Sequence, residues 1–391
     1  MLSTEHRALI KATVPVLEAG GEALTRHFYG IMLNEYPEVR VLFNQAHQAS
    51  GDQARALANS VLMYARHIDE LEKLGPLVGQ IVNKHVSLQI LPEHYPIVGA
   101  CLLRAIREVV GPEIATDALI EAWAAAYQQL ADLLIGAEEA VYAANAQAPG
   151  GWRGARRFVL ARREVESEEI VSLYLAPEDG GALPSFVPGQ YLGLRLSVDG
   201  EEVRRNYSLS APADGRQFRI SVKREAGGKV SNFLHDRLQV GDALEVFPPA
   251  GDFVLQASER PLLLIGAGVG VTPLMAMLEA AKDSGRAIRF VHCARHAGVR
   301  AFGERLAELA AAHPHIDYRV CYSDPRAGDT CDAEGLLTRE RLADWLPEDA
   351  EVYFLGPKPF MAQVKRDLAA LGVPEARVRY EFFGPAAALD A

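Results

Sequence analysis

The sequence predicts three folded modules in series: an all-α domain, then an antiparallel β-barrel, then an α/β domain built on a parallel sheet. Three observations predict this order. Apolar residues recur at helical spacing through the first 144 residues, and short alternating runs punctuated by Gly and Pro follow. From about Pro261 strand-like and helical stretches alternate. A chain of 391 residues is also too long for one compact core. The expected divisions are 1–144, a linker at 145–152 (Asn145-Ala146-Gln147-Ala148-Pro149-Gly150-Gly151-Trp152), 153–258 and 259–391.

In the first module Ser3 is placed to cap the first helix, with Glu5 in its first turn. Pro37, Pro92, Pro96 and Pro112 mark helix starts and ends. Val78, Ile81, Val82, His85 and Leu88 form one helical stripe, which sets an imidazole on an apolar face. Alone, that pattern also fits a core histidine. A second stripe, Gln53, Leu57, Val61 and Tyr64, lies 32 residues earlier. Two such helices can enclose a flat macrocycle between His85 and Gln53, and Tyr29 and Phe43 add a hydroxyl and a ring. One strong nitrogen ligand, apolar walls and few polar groups are what a haem pocket needs.

In the second module Arg157-Phe158-Val159-Leu160, residues 170–175, residues 191–196 and residues 218–222 read as strands. Arg205-Asn206-Tyr207-Ser208 falls on another. A guanidinium for a pyrophosphate, a ring for stacking and a small hydroxyl suit a flavin, although a chance surface strand carries the same residues. Pro188-Gly189-Gln190-Tyr191 precedes this motif. Gly227-Gly228-Lys229-Val230-Ser231 follows it and leads into a helix start at Asn232 suited to phosphate.

In the third module strands are expected at 288–292, 317–322 and 351–355. Ahead of them, the apolar run ending in Ile265 enters the turn Gly266-Ala267-Gly268-Val269-Gly270-Val271-Thr272-Pro273, where a helix opens. Glycines let backbone approach a phosphate, and a helix start offers N–H groups and a positive dipole end. The turn departs from G-x-G-x-x-G because Val271 stands at the last glycine position.

A net charge of −11 argues against electrostatic binding of nucleic acid or anionic membrane. Cys101, Cys293, Cys321 and Cys331 form no C-x-x-C pair and read as reduced thiols. The first residues lack a signal peptide's apolar core, and no apolar run is long enough to span a bilayer, so a cytoplasmic protein is the expectation, and separately a monomer.

His27-Phe28-Tyr29, Leu42-Phe43-Asn44, Gly51-Asp52-Gln53, Lys84-His85 and Pro92-Glu93-His94-Tyr95 resemble the globin domain of flavohaemoglobins, and the similarity continues through essentially the whole chain. The resemblance implies haem b, FAD, and NADH or NADPH as cofactors. It makes His85 the proximal iron ligand and Tyr29 and Gln53 the donors to dioxygen, with Phe43 on the porphyrin and Leu57 shaping the distal pocket. Tyr95 and Glu138 would hydrogen-bond toward His85, and Lys84 would meet a propionate or the flavin domain. Without the family pattern Tyr95 reads as a packing tyrosine, and Glu138 and Lys84 as solvated charges.

The later motifs resemble the ferredoxin-reductase superfamily. This implies flavin contacts from Tyr191, Arg205, Asn206, Tyr207, Ser208, Lys229, Val230 and Ser231. It implies coenzyme contacts from Gly268, Val269, Gly270, Val271, Thr272 and Pro273, whose turn matches a superfamily form ending in proline. Gly356-Pro357 would lie beside the nicotinamide, with Leu355 standing where the family usually has cysteine. Glu381-Phe382-Phe383-Gly384-Pro385 resembles the family's closing E-C-F-G-P, with Phe382 in place of the cysteine, Phe383 over the flavin face, and Glu381 tuning the flavin. The implied activity is nitric oxide dioxygenation, with dioxygen, nitric oxide and NAD(P)H as partners. A reductase with a secondary globin, and a gas sensor or oxygen carrier, are the competing readings. Arg295, after the second strand of the last module, fits either an exposed arginine or a contact to a 2′-phosphate.

Overall fold

The computed structural model describes residues 2–43 and 52–383, with backbone alone at 52, 53 and 76. The chain divides into a helical unit, chiefly residues 1–147, and a second unit, chiefly 148–383, that holds both sheets.

The helical unit comprises α1 (Thr4–Ala12), α2 (Val14–Glu35), α3 (Pro37–Arg40), α4 (Asp52–Arg66), α5 (Gly75–Leu88), α6 (His94–Val110) and α7 (Asp117–Gln147). Ser3 Oγ accepts from His6 N–H at 3.0 Å, as the capping pattern predicts. Helix α5 stops at Gln89, whose φ of 57° is left-handed, and Ile90 N–H then returns to His85 O at 3.0 Å. Leu24, Phe28, Met32, Ala105, Ala122 and Trp123 are among the residues that form one buried core. Helix α7 runs to Gln147, three residues into the segment read as a linker.

The second unit begins with β1 (Arg156–Val165), β2 (Ile170–Pro177), β3 (Tyr191–Val198), β4 (Glu201–Ser208), β5 (Phe218–Lys223), helix α8 (Lys229–Asp236) and β6 (Ala243–Val246). The sheet order is β4-β3-β6-β1-β2-β5. Just past β4, Leu209 pairs with Ile220 of β5, so the two outer strands meet and the sheet closes on itself. Helix α8 starts at Lys229, not at Asn232 as the sequence reading expects. The Gly227-Gly228 turn frees the chain early enough for Lys229, Val230 and Ser231 to form its first turn.

The parallel sheet follows: β7 (Leu262–Ala267), α9 (Val271–Ala281), β8 (Ile288–Ala294), α10 (Gly303–Ala312), β9 (Ile316–Tyr322), β10 (Ala333–Glu334), α11 (Arg339–Trp345), β11 (Glu351–Leu355), α12 (Lys358–Ala370) and β12 (Val378–Tyr380). Its order is β10-β9-β8-β7-β11-β12. Every residue of β7 is buried, as expected for a strand covered by helices on both faces. The sheet grows from β7 in one direction through β8 and in the other through β11. The crevice between the carboxyl ends of β7 and β11 is therefore the switch point where such sheets bind ligands. No helix among the described residues is long and apolar enough to cross a membrane.

Candidate functional site

Helix α5 carries His85 on its last turn, and α6 and α7 bring Tyr95 and Glu138 to it. Glu138 Oε1 lies 2.7 Å from His85 Nδ1 and accepts the Tyr95 hydroxyl at 2.6 Å. Tyr95 Oη is 3.2 Å from the same Nδ1. The Glu138 side chain is 3% exposed, whereas that of His85 is 30% exposed. A carboxylate that deep is stable only when its oxygens are hydrogen-bonded, and both neighbours meet that need. Burial and the bond to Glu138 push the Tyr95 phenol well above its ordinary value, so it remains a donor. The acceptor on Nδ1 fixes the imidazole tautomer, and Nε2 makes no hydrogen bond among the described residues. This leaves Nε2 able to ligate a metal, with an anion behind the ring to strengthen it as a donor.

Three residues that the sequence reading does not assign to the site hold this triad. The Tyr127 ring lies over Gly99 of α6, where a Cβ would come within 2.6 Å of its Cε1. That approach lets the Tyr127 hydroxyl donate to Tyr95 O at 2.6 Å. Tyr142 donates to Ile90 O at 2.8 Å, just past the end of the His85 helix. A glycine inside a helical pattern is the one sequence signal that could have flagged this contact.

On α2, Tyr29 is 9% exposed, and its ring meets that of Phe43 edge-on at 5.8 Å between centroids. Phe43 and Leu57 pack on the helical core, as do Val78, Ile81 and Leu88 from the His85 stripe. Lys84 is exposed beside His85. Gln53 belongs to α4, but its side chain lies outside the described residues. A half-buried imidazole whose Nε2 makes no hydrogen bond among the described residues, a buried carboxylate behind it and apolar walls fit haem.

In the barrel, Arg205 and Tyr207 are two residues apart on β4 and share one face, whereas Asn206 and Ser208 take the other. Burial lowers the Arg205 guanidinium from its usual value and raises the Tyr207 phenol. Tyr191 opens β3 and exchanges both backbone hydrogen bonds with Ala250, at 2.9 and 3.0 Å. Its ring lies 2.8 Å from where a Cβ on Gly251 would sit, at a φ of +110°. Lys229 is exposed on the first turn of α8, beside buried Val230 and Ser231, and no side chain caps that end. A cation, a stackable ring and an uncapped helix start fit a flavin nucleotide.

At the switch point Gly268, Val269 and Gly270 form a 3-10 turn after β7, with Gly268 at φ +56°. A Cβ on Gly270 would lie 2.5 Å from Leu355 O, so only glycine lets this turn close on the end of β11. Gly356 is similarly pressed, since its Cβ would meet Phe360 at 2.6 Å and Ala267 at 2.8 Å. Helix α9 begins at Val271 rather than at Pro273, which places Thr272 and Pro273 in its first turn, where proline's missing N–H costs nothing. Exposed Pro357 caps α12. Phe382 packs edge-on against Tyr380 at 6.0 Å, next to half-buried Glu381, and Phe383 is 50% exposed. Gly384 and Pro385 lie outside the described residues.

Three family models match in order: globin over residues 26–134, oxidoreductase FAD-binding domain over 157–255, and oxidoreductase NAD-binding domain over 264–366. A flavohemoprotein of Pseudomonas aeruginosa is 70% identical across the full length of both chains. The chain belongs to the flavohemoprotein family. A Pseudomonas putida flavohemoprotein is 66% identical over the same extent. Among solved structures, a flavohemoglobin from Malassezia yamatoensis with bound FAD and heme superposes with a TM-score of 0.85 at 28% identity, covering 98% of this chain and 100% of its own. The flavohem-like FAD/NAD-binding domain of a nitric oxide dioxygenase from Vibrio cholerae matches 60% of this chain and 100% of its own, at 38% identity and a TM-score of 0.56. This flavohemoprotein is thus an NAD(P)H-dependent haem and flavin oxidoreductase that passes electrons from NAD(P)H through FAD to haem.

Proposed function

We propose that the protein is a nitric oxide dioxygenase, and the observation that carries this is the His85, Glu138 and Tyr95 cluster. Two nitric oxide molecules, two dioxygen molecules and the two electrons of one NAD(P)H would give two nitrates, NAD(P)+ and a proton. Haem b supplies the centre where dioxygen is bound and activated, FAD divides the hydride's two electrons into single transfers, and the nicotinamide delivers them. His85 Nε2 would hold the iron while Glu138 engages Nδ1, an arrangement that would favour activation over simple carriage of dioxygen. Tyr95 donates to that carboxylate and holds it in place. Tyr29 and Gln53 would donate to bound dioxygen, Phe43 and Leu57 would wall the pocket, and Lys84 would meet a propionate or the flavin domain.

For the reductase, Arg205 binds the flavin pyrophosphate with the start of α8 at Lys229, Val230 and Ser231. Tyr207 stacks on the ring, while Tyr191, Asn206 and Ser208 complete that site. Gly268 to Pro273 receives the coenzyme pyrophosphate, and Gly356 and Pro357 border the nicotinamide. Phe383 would cover the flavin face and Glu381 would tune the flavin or the electron path, with Phe382 beside them and Gly384 and Pro385 completing the motif in the sequence. The modules proposed to do this are 1–144, 153–258 and 259–391, joined by 145–152, in a cytoplasmic monomer. The Vibrio cholerae relative, described as a nitric oxide dioxygenase, supports the reading. Stopped-flow mixing of the oxygenated ferrous protein with nitric oxide tests it: rapid formation of nitrate and ferric haem is expected, and slow or absent nitrate formation rejects it.

A further inference from the structure

The turn between β1 and β2 of the barrel reaches the carboxyl edge of the parallel sheet. Glu168 is held there twice. Its N–H donates to Gly298 O at 2.8 Å, and its carboxylate accepts from Arg326 Nη1 and Nη2 at 2.5 and 3.1 Å. Glu169 pairs with Arg295 and lies 3.9 Å from Lys223 Nζ. Gly298 leaves the room for this docking, since a Cβ there would collide with the Glu168 carboxylate.

The two arginines belong to the ends of neighbouring strands. Arg295 directly follows β8, and Arg326 lies in the loop after β9. Asp329 ties the loops together by accepting Ala297 N–H at 3.0 Å and Arg326 N–H at 2.9 Å, and Asp324 N–H donates to Arg295 O at 2.8 Å. In a doubly wound sheet the dinucleotide's pyrophosphate sits at the turn after the first strand. Its adenosine ribose reaches the residues beyond, where an acid meets a 2′-hydroxyl and an arginine meets a 2′-phosphate. Arg295 therefore has the chemistry to receive NADPH, yet its charge is already met from another domain.

We propose that Glu168 and Glu169 set the coenzyme choice: they occupy Arg326 and Arg295 and place two negative charges against a 2′-phosphate, so that NADH is taken in preference to NADPH. This is discrimination by repulsion of the wrong ligand as much as by attraction of the right one. Arg326 holds the Glu168 carboxyl below its ordinary value, so the repelling charge persists at neutral pH. All four side chains are 30 to 57% exposed, so the pairs add little to stability and can be exchanged without unfolding the domain. The inference rests on the coenzyme lying at the switch point and does not depend on the nitric oxide reading.

The test uses the full-length protein with its cofactors and the double variant Glu168→Gln/Glu169→Gln. Calorimetry with 2′,5′-ADP and with 5′-AMP reads the adenosine end directly. The double variant is expected to bind 2′,5′-ADP at least about tenfold tighter than the unaltered protein, with 5′-AMP affinity unchanged. With a dye as electron acceptor, the NADPH to NADH ratio of kcat/KM should rise by a similar factor, and adding Arg295→Ala should cancel the gain. Equal changes for both nucleotides, no change for either, or an unaltered protein that uses NADPH as readily as NADH would overturn the proposal. Nitrate formation is assayed separately, and its absence would leave these ratios standing.

Discussion

Glu138 accepts a 2.6 Å hydrogen bond from Tyr95, 43 residues before it in the chain, while facing His85 with the same oxygen. Two partners converging on one buried oxygen satisfy it where an unpaired polar group would be costly. The consequences can be measured residue by residue.

Glu138→Gln preserves shape and removes the anion behind His85. Turnover is expected to fall about 10- to 100-fold, the usual effect of losing a partner behind a metal ligand. The iron–histidine stretch in resonance Raman spectra should move to lower frequency. An unchanged stretch would assign Glu138 to packing alone.

Gly99→Ala places a methyl group 2.6 Å from the Tyr127 ring. Displacing that ring strains the start of α6 and loosens the Tyr127 bond to Tyr95 O. A stability loss of about 1–3 kcal/mol is expected from overpacking, although alanine is the better helix former. Urea unfolding followed by the Soret band measures it, and a stabilised variant would contradict the packing account.

Gly270→Ala forces the turn after β7 away from Leu355 O, against which a Cβ would lie at 2.5 Å. Flavin content should stay normal while reduction of the flavin by coenzyme slows by about 100-fold, because a displacement of about 1 Å spoils the alignment for hydride transfer. Anaerobic stopped-flow absorbance at the flavin band reports this step alone. Normal reduction would show that the coenzyme binds elsewhere.

His292 is 1% exposed in the middle of the parallel sheet, and burial pulls its imidazole down to about 3. Its folded value lies below the unfolded one, so the neutral ring's contribution is present above about pH 6.5 and is lost as the pH falls toward 3. Between these limits one extra proton binds on unfolding, which gives a slope of about 1.4 kcal/mol per pH unit. His235 is also lowered by burial, so the comparison must be with His292→Gln. That variant should flatten acid destabilisation of the flavin-bearing unit, as followed by flavin fluorescence; an unaltered slope would clear His292.

Much of this was legible in the chain itself. Apolar runs such as residues 262–265 announce buried strands, and the change from helical to alternating spacing separates the modules. Glu138 could be chosen over adjacent Glu139 only by resemblance, and the geometry now supplies the reason: it is the one whose carboxylate meets His85. Helix starts at Lys229 and Val271 were displaced by two or three residues, because capping glycines mark a turn without fixing where hydrogen bonding begins. Gly99 inside a helical pattern hints at a close packing without naming Tyr127, and the pairing of Arg295 with Glu169 was not readable at all. That pair spans 126 residues and exists only once two sheets are docked, a relation that no local pattern encodes.

The bridge between Leu209 and Ile220 bears on how the protein behaves when crowded. Open sheet edges offer rows of unpaired backbone groups on which another chain can add a strand. The Leu209–Ile220 bridge covers part of that edge where the chain leaves β4. The parallel sheet ends in β10 and β12, only two and three residues long, too short to template such growth. Short terminal strands thus leave the parallel sheet little edge on which another chain could add, and lengthening β10 or β12 is the change that would expose one.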